Sequence, residues 1–438
     1  MAAEGSRVPV WLWLPGATEP VEAAGITVAA AGNRWLFTDN YLEHKDAVSP
    51  DPRQLRLTAS RKGIALLQRD GLPGVVRDAM PAGYGADRLD AAASRKLTPL
   101  ELLEHGVADA CGALEVCQDI RRKLDWVPQE YSKLKDILVL MQANEPASRA
   151  IRKLNDDAST SAGGERPKVT IQDKGRMFLV KMQARSDIAF LPHKEFVLMS
   201  MARACGIRTP PVRLEPVGEH TVYLCERFDR AGDPRKPSRR LFASAHTVLR
   251  LGLDAVRGDP RRSYLGFADE MRIWCRGSPH LEADLQELWR RMAFNALVGN
   301  ADDHPRNHGL LFQDGHWRLA PAFDITPFAD FKNVLSMATG VEGSSAVSAE
   351  RLLATSERFA LAVEDAAAWL AETSAYVANS WEPALRKAGV REKEICATAP
   401  AFSFALGIAA DTSAFERVVA QALLPRKRTR RPSHRARQ

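Results

Sequence analysis

The segment that most restricts what this chain can fold into begins where an amphipathic helix stops. Residues 281–298 carry Leu285, Leu288, Trp289, Met292 and Ala296 at spacings of three and four, which predicts one buried helical face, and Gly299 ends the run. Asp302, His304 and Asn307 follow at once. Two short apolar runs, 310–312 and 317–319, then flank Asp314-Gly315. An Asp-Gly pair between such runs predicts a two-residue hairpin turn. With those residues at the turn, the register sets Asn307 opposite Ala322, two positions from Asp324. Cross-strand neighbours lie ~5 Å apart and diagonal ones ~7–8 Å. The hairpin therefore returns Asp324 to the vicinity of Asn307, at one end of a buried helix.

Asp302 and Asn307 stand in the relation D-x-x-x-x-N, the spacing of a protein-kinase catalytic loop. A carboxylate in the first position accepts the proton of an attacking hydroxyl. An amide oxygen in the last helps hold Mg²⁺, a hard cation that takes oxygen ligands, and Asp324 in Phe323-Asp324-Ile325 supplies a second oxygen. The spacing alone reads as readily as a capping or turn feature. It gains weight from ordered parts upstream. Residues 161–168 (SAGGERPK) form a Gly-containing loop before a strand, able to turn backbone N–H groups toward phosphate oxygens. Lys181 ends the next strand, where a kinase places its phosphate-binding lysine, and Glu195 lies on the following helix, where its glutamate partner belongs. In isolation Lys181 reads as a snorkelling strand-end lysine and Glu195 as a solvated helix residue. Glu226 to Phe228 fall at a strand end before a helical region, the position of an adenine-contacting hinge. His304 and His308 beside Asp302 and Asp303 raise the question of zinc, but Pro305 disfavours the regular helix that would align the imidazoles, and no zinc site is expected.

This ordered set resembles the HipA family, bacterial serine/threonine kinase toxins of type II toxin–antitoxin systems. The likeness is carried by Lys168, Lys181, Glu195, the 226–230 string ERFDR, the 299–307 string GNADDHPRN and the 323–325 string FDI, and the 72–81 string LPGVVRDAMP is similar to the family's amino-terminal subdomain. It spans about residues 60–330. The resemblance implies an α+β, two-lobed protein-kinase-like fold with a β-rich amino-terminal module and a mainly helical carboxy-terminal lobe. It implies Asp302 as general base, magnesium and triphosphate contacts from His304, Asn307 and Asp324, with Asn307 and Asp324 on the metal, and ATP and Mg²⁺ as cofactors. Gly163, Gly164 and Lys168 fall on the phosphate loop, Lys181 on the strand lysine, Glu226 and Phe228 on the hinge, and Ser161 on the autophosphorylated serine. A phosphate on Ser161 adds about −1.5 to −2 charges to the loop that must hold ATP, which implies silencing. The implied partners are a protein substrate, an aminoacyl-tRNA synthetase in known members, and a helix-turn-helix antitoxin through which operator DNA is met. Two rival readings are a small-molecule kinase of the aminoglycoside phosphotransferase type and a catalytically silent, antitoxin-bound, DNA-associated protein.

Along its 438 residues the chain divides by pattern. Residues 1–158 form the amino-terminal module, with β pieces at 8–14, 35–37 and 63–67 broken by turn signals at 49–52 and 72–74, then a helical stretch over 98–142. Residues 159–228 form a nucleotide-binding lobe, with a hairpin around 173–175, a helix over 193–205 and strands at 212–217 and 221–228. Residues 229–424 form the helical lobe. The formal charge is +7, yet the last fourteen residues hold seven Lys or Arg and no acid, and the remainder balances 54 basic against 54 acidic residues. The basicity belongs to this tail, 425–438, expected to be disordered because like charges without apolar residues bury no core. Six scattered cysteines without a Cys-x-x-Cys pair favour a reducing compartment. With no signal-like amino terminus and no apolar run near ~18–20 residues, a cytoplasmic protein with no membrane partner is expected.

Overall fold

The computed structural model describes residues 5–60, 62–68, 70–143, 168–183 and 187–424. Ser161, Gly163, Gly164 and the tail 425–438 lie outside the described residues.

Five antiparallel strands build the amino-terminal sheet, in the order Ile64–Ala65, Arg34–Phe37, Pro20–Thr27, Arg7–Trp13, Leu114–Val116. Val10, Leu12, Ala24, Ile26 and Trp35 from neighbouring strands form its buried side. The strand at 114–116 corrects the expectation of a helical stretch across 98–142. That region is a short helix Pro99–His105, this strand, a helix Ile120–Leu124, a two-residue strand Gln129–Glu130 and a helix Leu134–Ala143. The interruptions follow from Gly112, which adopts a positive φ of 82°, and from Pro128. The first helix alone carries the expected signature, a capping box between Thr98 and Glu101. The turn signal at 72–74 opens a helix instead, Gly74–Ala79, with Pro73 at its N-cap. Asp78 of that helix accepts the Ser244 N–H and hydroxyl, both at 2.7 Å, and ties the module to the carboxy-terminal lobe.

The second sheet runs Gln129–Glu130, Lys168–Asp173, Arg176–Lys181, His220–Glu226, Val212–Val217. Its hairpin turns at Lys174-Gly175, both at positive φ, as the Asp-Lys-Gly signal predicts. Leu134, Ile137, Leu138 and Met141 bury one face of this sheet against Val169, Ile171, Phe178 and Val180. The expected division at 158/159 therefore falls inside one packed unit, since 129–143 complete this sheet. The other face receives the helix Leu191–Ala204, whose Val197, Leu198, Met201 and Ala202 are buried and which Gly206 closes at φ 79°.

In the helical lobe Leu281–Leu297 is nearly enclosed, with Leu288, Trp289, Met292 and Phe294 fully buried. Trp289 meets Trp369 of the 25-residue helix Val363–Lys387 edge-on at 5.9 Å. Gly299 ends the central helix at φ 63°, and a Cβ there would fall 2.4 Å from the Ala401 carbonyl oxygen. The helix can stop here only at glycine. Its carboxy-terminal end faces a three-stranded sheet of Phe242–Ser244, Gly309–Gln313 and His316–Leu319. The fold is α+β, β-rich at the amino terminus and helical at the carboxy terminus, as expected. No single helix among the described residues is long and apolar enough to cross a membrane.

Candidate active site

Lys168 and Lys181 are paired across the first hairpin of the second sheet, so both side chains project from one face. The helix Leu191–Ala204 crosses that face and presents Glu195. Lys181 Nζ donates to Glu195 Oε1 at 2.7 Å and to Asp324 Oδ1 at 2.6 Å. Burial works against the ammonium, but the Asp324 and Glu195 carboxylates hold Lys181 above its ordinary value. Burial pushes the Glu195 carboxyl up against the pull of Lys181. Enclosure likewise disfavours the Asp324 charge, yet Lys181, Lys168 and His304 together hold its carboxyl well below the usual range. The Asp324 side chain remains 34 % exposed, so a ligand can reach it.

The second hairpin turns at Asp314-Gly315 in the expected register, with Gln313 opposite His316 and Leu310 opposite Leu319. The ladder stops short of Asn307. Pro305–Asn307 is a single 3-10 turn, and the Ala322 N–H goes to the Arg208 carbonyl at 2.7 Å. Asn307 nevertheless lines a cavity of about 10 Å³ together with Phe323 and Ile325, the residues that flank Asp324. Asp324 adopts φ 62°, a left-handed conformation that aspartate tolerates better than most residues. The Asn307 amide N–H donates to the Asp302 carbonyl at 2.9 Å, which leaves the amide oxygen at the opposite end of the group for another partner. Asp302 is exposed, His304 is half-buried, and His304 Nδ1 is buried without a hydrogen-bond partner.

At the strand end, Glu226 pairs with Arg176 at 3.0 Å on the surface, and the Arg227 N–H bonds the Met177 carbonyl. Phe228 lies 5.7 Å from Phe323 and 6.3 Å from Phe242, ring centre to ring centre. An aromatic cluster thus joins the expected hinge to the residue before Asp324. The model describing a HipA-like C-terminal domain matches residues 160–381, half of the chain.

The chain belongs to the HipA family.

Among curated proteins it is similar to "Putative kinase Y4mE" of Sinorhizobium fredii, at 25 % identity over 241 residues, 51 % of this chain and 56 % of that one. It is similar also to the serine/threonine-protein kinase toxin HipA of Shewanella oneidensis, at 22 % identity over 230 residues, 46 % of this chain and 51 % of that one. The chain spans about half the length of these curated relatives in the matches. Among solved structures, it superposes on a chain from the complex of S. oneidensis HipA, HipB and operator DNA with a TM-score of 0.68, covering 95 % of this chain and 99 % of that one. At 16 % identity that likeness is one of fold.

Two groups in this HipA-family chain escaped the sequence. The first is a buried network behind the loop. Asp303, fully buried, accepts the Tyr264 hydroxyl at 2.7 Å and the Ser336 N–H at 2.5 Å. A hydroxyl that donates to a carboxylate must accept from its other neighbours. Tyr264 therefore accepts from Asn295 Nδ2 at 2.9 Å, and His308 Nε2 lies 3.2 Å from the same hydroxyl. Burial, then Arg291 and His304, hold that imidazole down at about 3. The second group is ionic. Arg227 Nε and its terminal nitrogen grip Asp229 at 2.8 and 2.9 Å, and Arg227 reaches Asp109 of the amino-terminal module at 2.7 Å. The alternating charges of 226–230 were the only sequence signal for it.

Proposed function

We propose that this chain is a HipA-like serine/threonine protein kinase, with ATP and Mg²⁺ as cofactors. The observation that carries the reading is Lys181 Nζ held between Glu195 and Asp324, three residues brought from a strand, a helix and a loop up to 143 positions apart. When bound, Mg-ATP supplies the phosphoryl group and the charge neutralisation that its transfer requires. Mg²⁺ takes one or two protein oxygens plus phosphate and water, and the Asp324 carboxylate with the Asn307 amide oxygen fits that donor set. Lys181 and Lys168 give the same face the positive charge that triphosphate oxygens need, and His304 Nδ1 is left with hydrogen-bonding capacity there. Asp302, exposed beside this group, accepts the proton of the acceptor hydroxyl. Glu195 orients Lys181.

In this reading the acceptors are Ser161 in cis and a cellular protein in trans, with an aminoacyl-tRNA synthetase the class suggested by the family. The partner is a helix-turn-helix antitoxin, operator DNA is met through it, and the pair works as a toxin–antitoxin system in the cytoplasm. The S. oneidensis complex, which unites HipA, HipB and operator DNA, supports the partner by analogy.

Radiolabel transfer from ATP tests the reading. Asp302→Asn is expected to lower transfer by about 10²-fold or more with nucleotide affinity retained, and Ser161→Ala to remove self-labelling. Transfer at wild-type rate from Asp302→Asn would refute the base. Labelled aminoglycoside or sugar with unlabelled protein would move the chain to the small-molecule phosphotransferases.

A further inference from the structure

The segment 107–112 links the helix Pro99–His105 to the strand Leu114–Val116 of the amino-terminal sheet, yet its polar partners lie in the second sheet and just beyond it. Asp109 is fully buried. Its Oδ1 accepts from Arg227 at 2.7 Å and its Oδ2 from the Thr170 hydroxyl at 2.8 Å. Arg230 donates to the Ala110 and Gly112 carbonyls at 2.5 and 2.8 Å, and the Gly112 N–H returns a bond to Asp229 at 2.8 Å. Cys111 packs with Phe228 and Phe323 against Phe242.

The two oxygens of Asp109 thus hold two different parts of the candidate active site. Thr170 lies two positions from Lys168 on one strand, so the two side chains share the face that also carries Lys181. Arg227 stands between Glu226 and Phe228, and its own N–H bonds the Met177 carbonyl of the neighbouring strand at 2.8 Å. Asp229, two residues on, already accepts two bonds from the Arg227 guanidinium, at 2.8 and 2.9 Å. A second buried carboxylate, brought from 118 residues away, adds a desolvation cost that local pairing did not require. What it adds is register, because it fixes how the Lys168 strand and the 226–228 segment meet.

We propose that Asp109 is a positioning residue of the nucleotide site, supplied by the amino-terminal module. Through Thr170 and Arg227 it sets the strand of Lys168 against the expected hinge, so nucleotide affinity depends on a residue outside both lobes of the kinase-like body. Asp109 acts through these two side chains and not by touching the nucleotide. The inference rests on the kinase reading given above.

Calorimetric titration of the full chain with Mg²⁺ and a non-hydrolysable ATP analogue tests this, because it reads affinity and stoichiometry separately. Asp109→Asn should raise Kd about tenfold and Thr170→Val about threefold, each with the stoichiometry of the wild type. The double variant should bind no more weakly than Asp109→Asn alone, since both changes break one linkage. Thr170→Val removes a single hydroxyl from a side chain of the same shape, so it keeps the test valid if Asp109→Asn folds poorly. A merely structural role would lower the stoichiometry and leave Kd unchanged, and that result, or wild-type Kd in Thr170→Val, would overturn the proposal. A wild-type chain that binds no nucleotide would overturn the kinase reading and take this inference with it.

Discussion

Lys181 Nζ and Asp324 Oδ1 stand 2.6 Å apart although 143 residues separate them in sequence. The contact joins the strand sheet of one lobe to the loop that follows the hairpin of the other, and the same ammonium also holds Glu195, whose side chain is 4 % exposed.

Removing the lysine strands that buried carboxylate. Lys181→Ala is expected to cost about 3 kcal/mol in urea unfolding, because a buried charge that loses its partner keeps its desolvation penalty. Adding Glu195→Gln should restore part of the loss in stability while phosphoryl transfer stays abolished. A double variant no more stable than Lys181→Ala would show that the pair is not coupled.

Asp303 makes stability depend on pH. Burial pushes its carboxyl up to about 7, against the Tyr264 and Ser336 donors. Its folded value lies above the ~4 of an unfolded aspartate, so its contribution is fully present below that value and is lost as pH rises through about 7. Unfolding midpoints measured from about pH 4 to about pH 8 should show the wild type losing on the order of a few kcal/mol relative to Asp303→Asn, which cannot ionise. Parallel curves for the two proteins would refute this.

Arg227 is expected to be intolerant of lysine. Arg227→Ala leaves Asp109 and Asp229 buried without their shared cation, at a cost of about 3–5 kcal/mol. Arg227→Lys should recover little, since one ammonium cannot reproduce the two parallel bonds to Asp229 together with the reach to Asp109. Thermal unfolding of the two variants gives the comparison, and a lysine variant as stable as wild type would contradict it.

Gly299→Ala combines a left-handed backbone with a Cβ 2.4 Å from a carbonyl oxygen. A loss of about 2 kcal/mol or more is expected. Because Gly299 opens the loop carrying Asp302, transfer should also fall more than global unfolding accounts for under conditions where the variant is fully folded. Unchanged stability would mean that the chain segment around Ala401 can retreat.

Much of this was legible because short-range rules fix it. The Asp-Gly and Lys-Gly turns, the Gly206 and Gly299 stops and the buried face of Leu281–Leu297 are local chemistry, and each lies where its residues indicate. The Lys181–Glu195 pairing followed from order along the chain, although neither residue signals it alone. Residues 98–142 were misread because their apolar spacing suits a helix, whereas Leu114–Val116 is recruited as a strand by an edge more than 100 residues away, at Val10–Leu12. Tyr264 and Asp109 gave no signal for the same reason: a buried tyrosine or aspartate declares its partner only in three dimensions.

The helix Leu134–Ala143 separates two lengths that are easily confused. A fragment starting at residue 160 would retain every side chain assigned here to phosphoryl transfer and would satisfy the family match. It would also lay bare Val169, Ile171, Phe178 and Val180, the apolar floor beneath the strand that aims Lys181. Anyone trimming this protein to its chemistry would keep the tools and lose the bench they are bolted to.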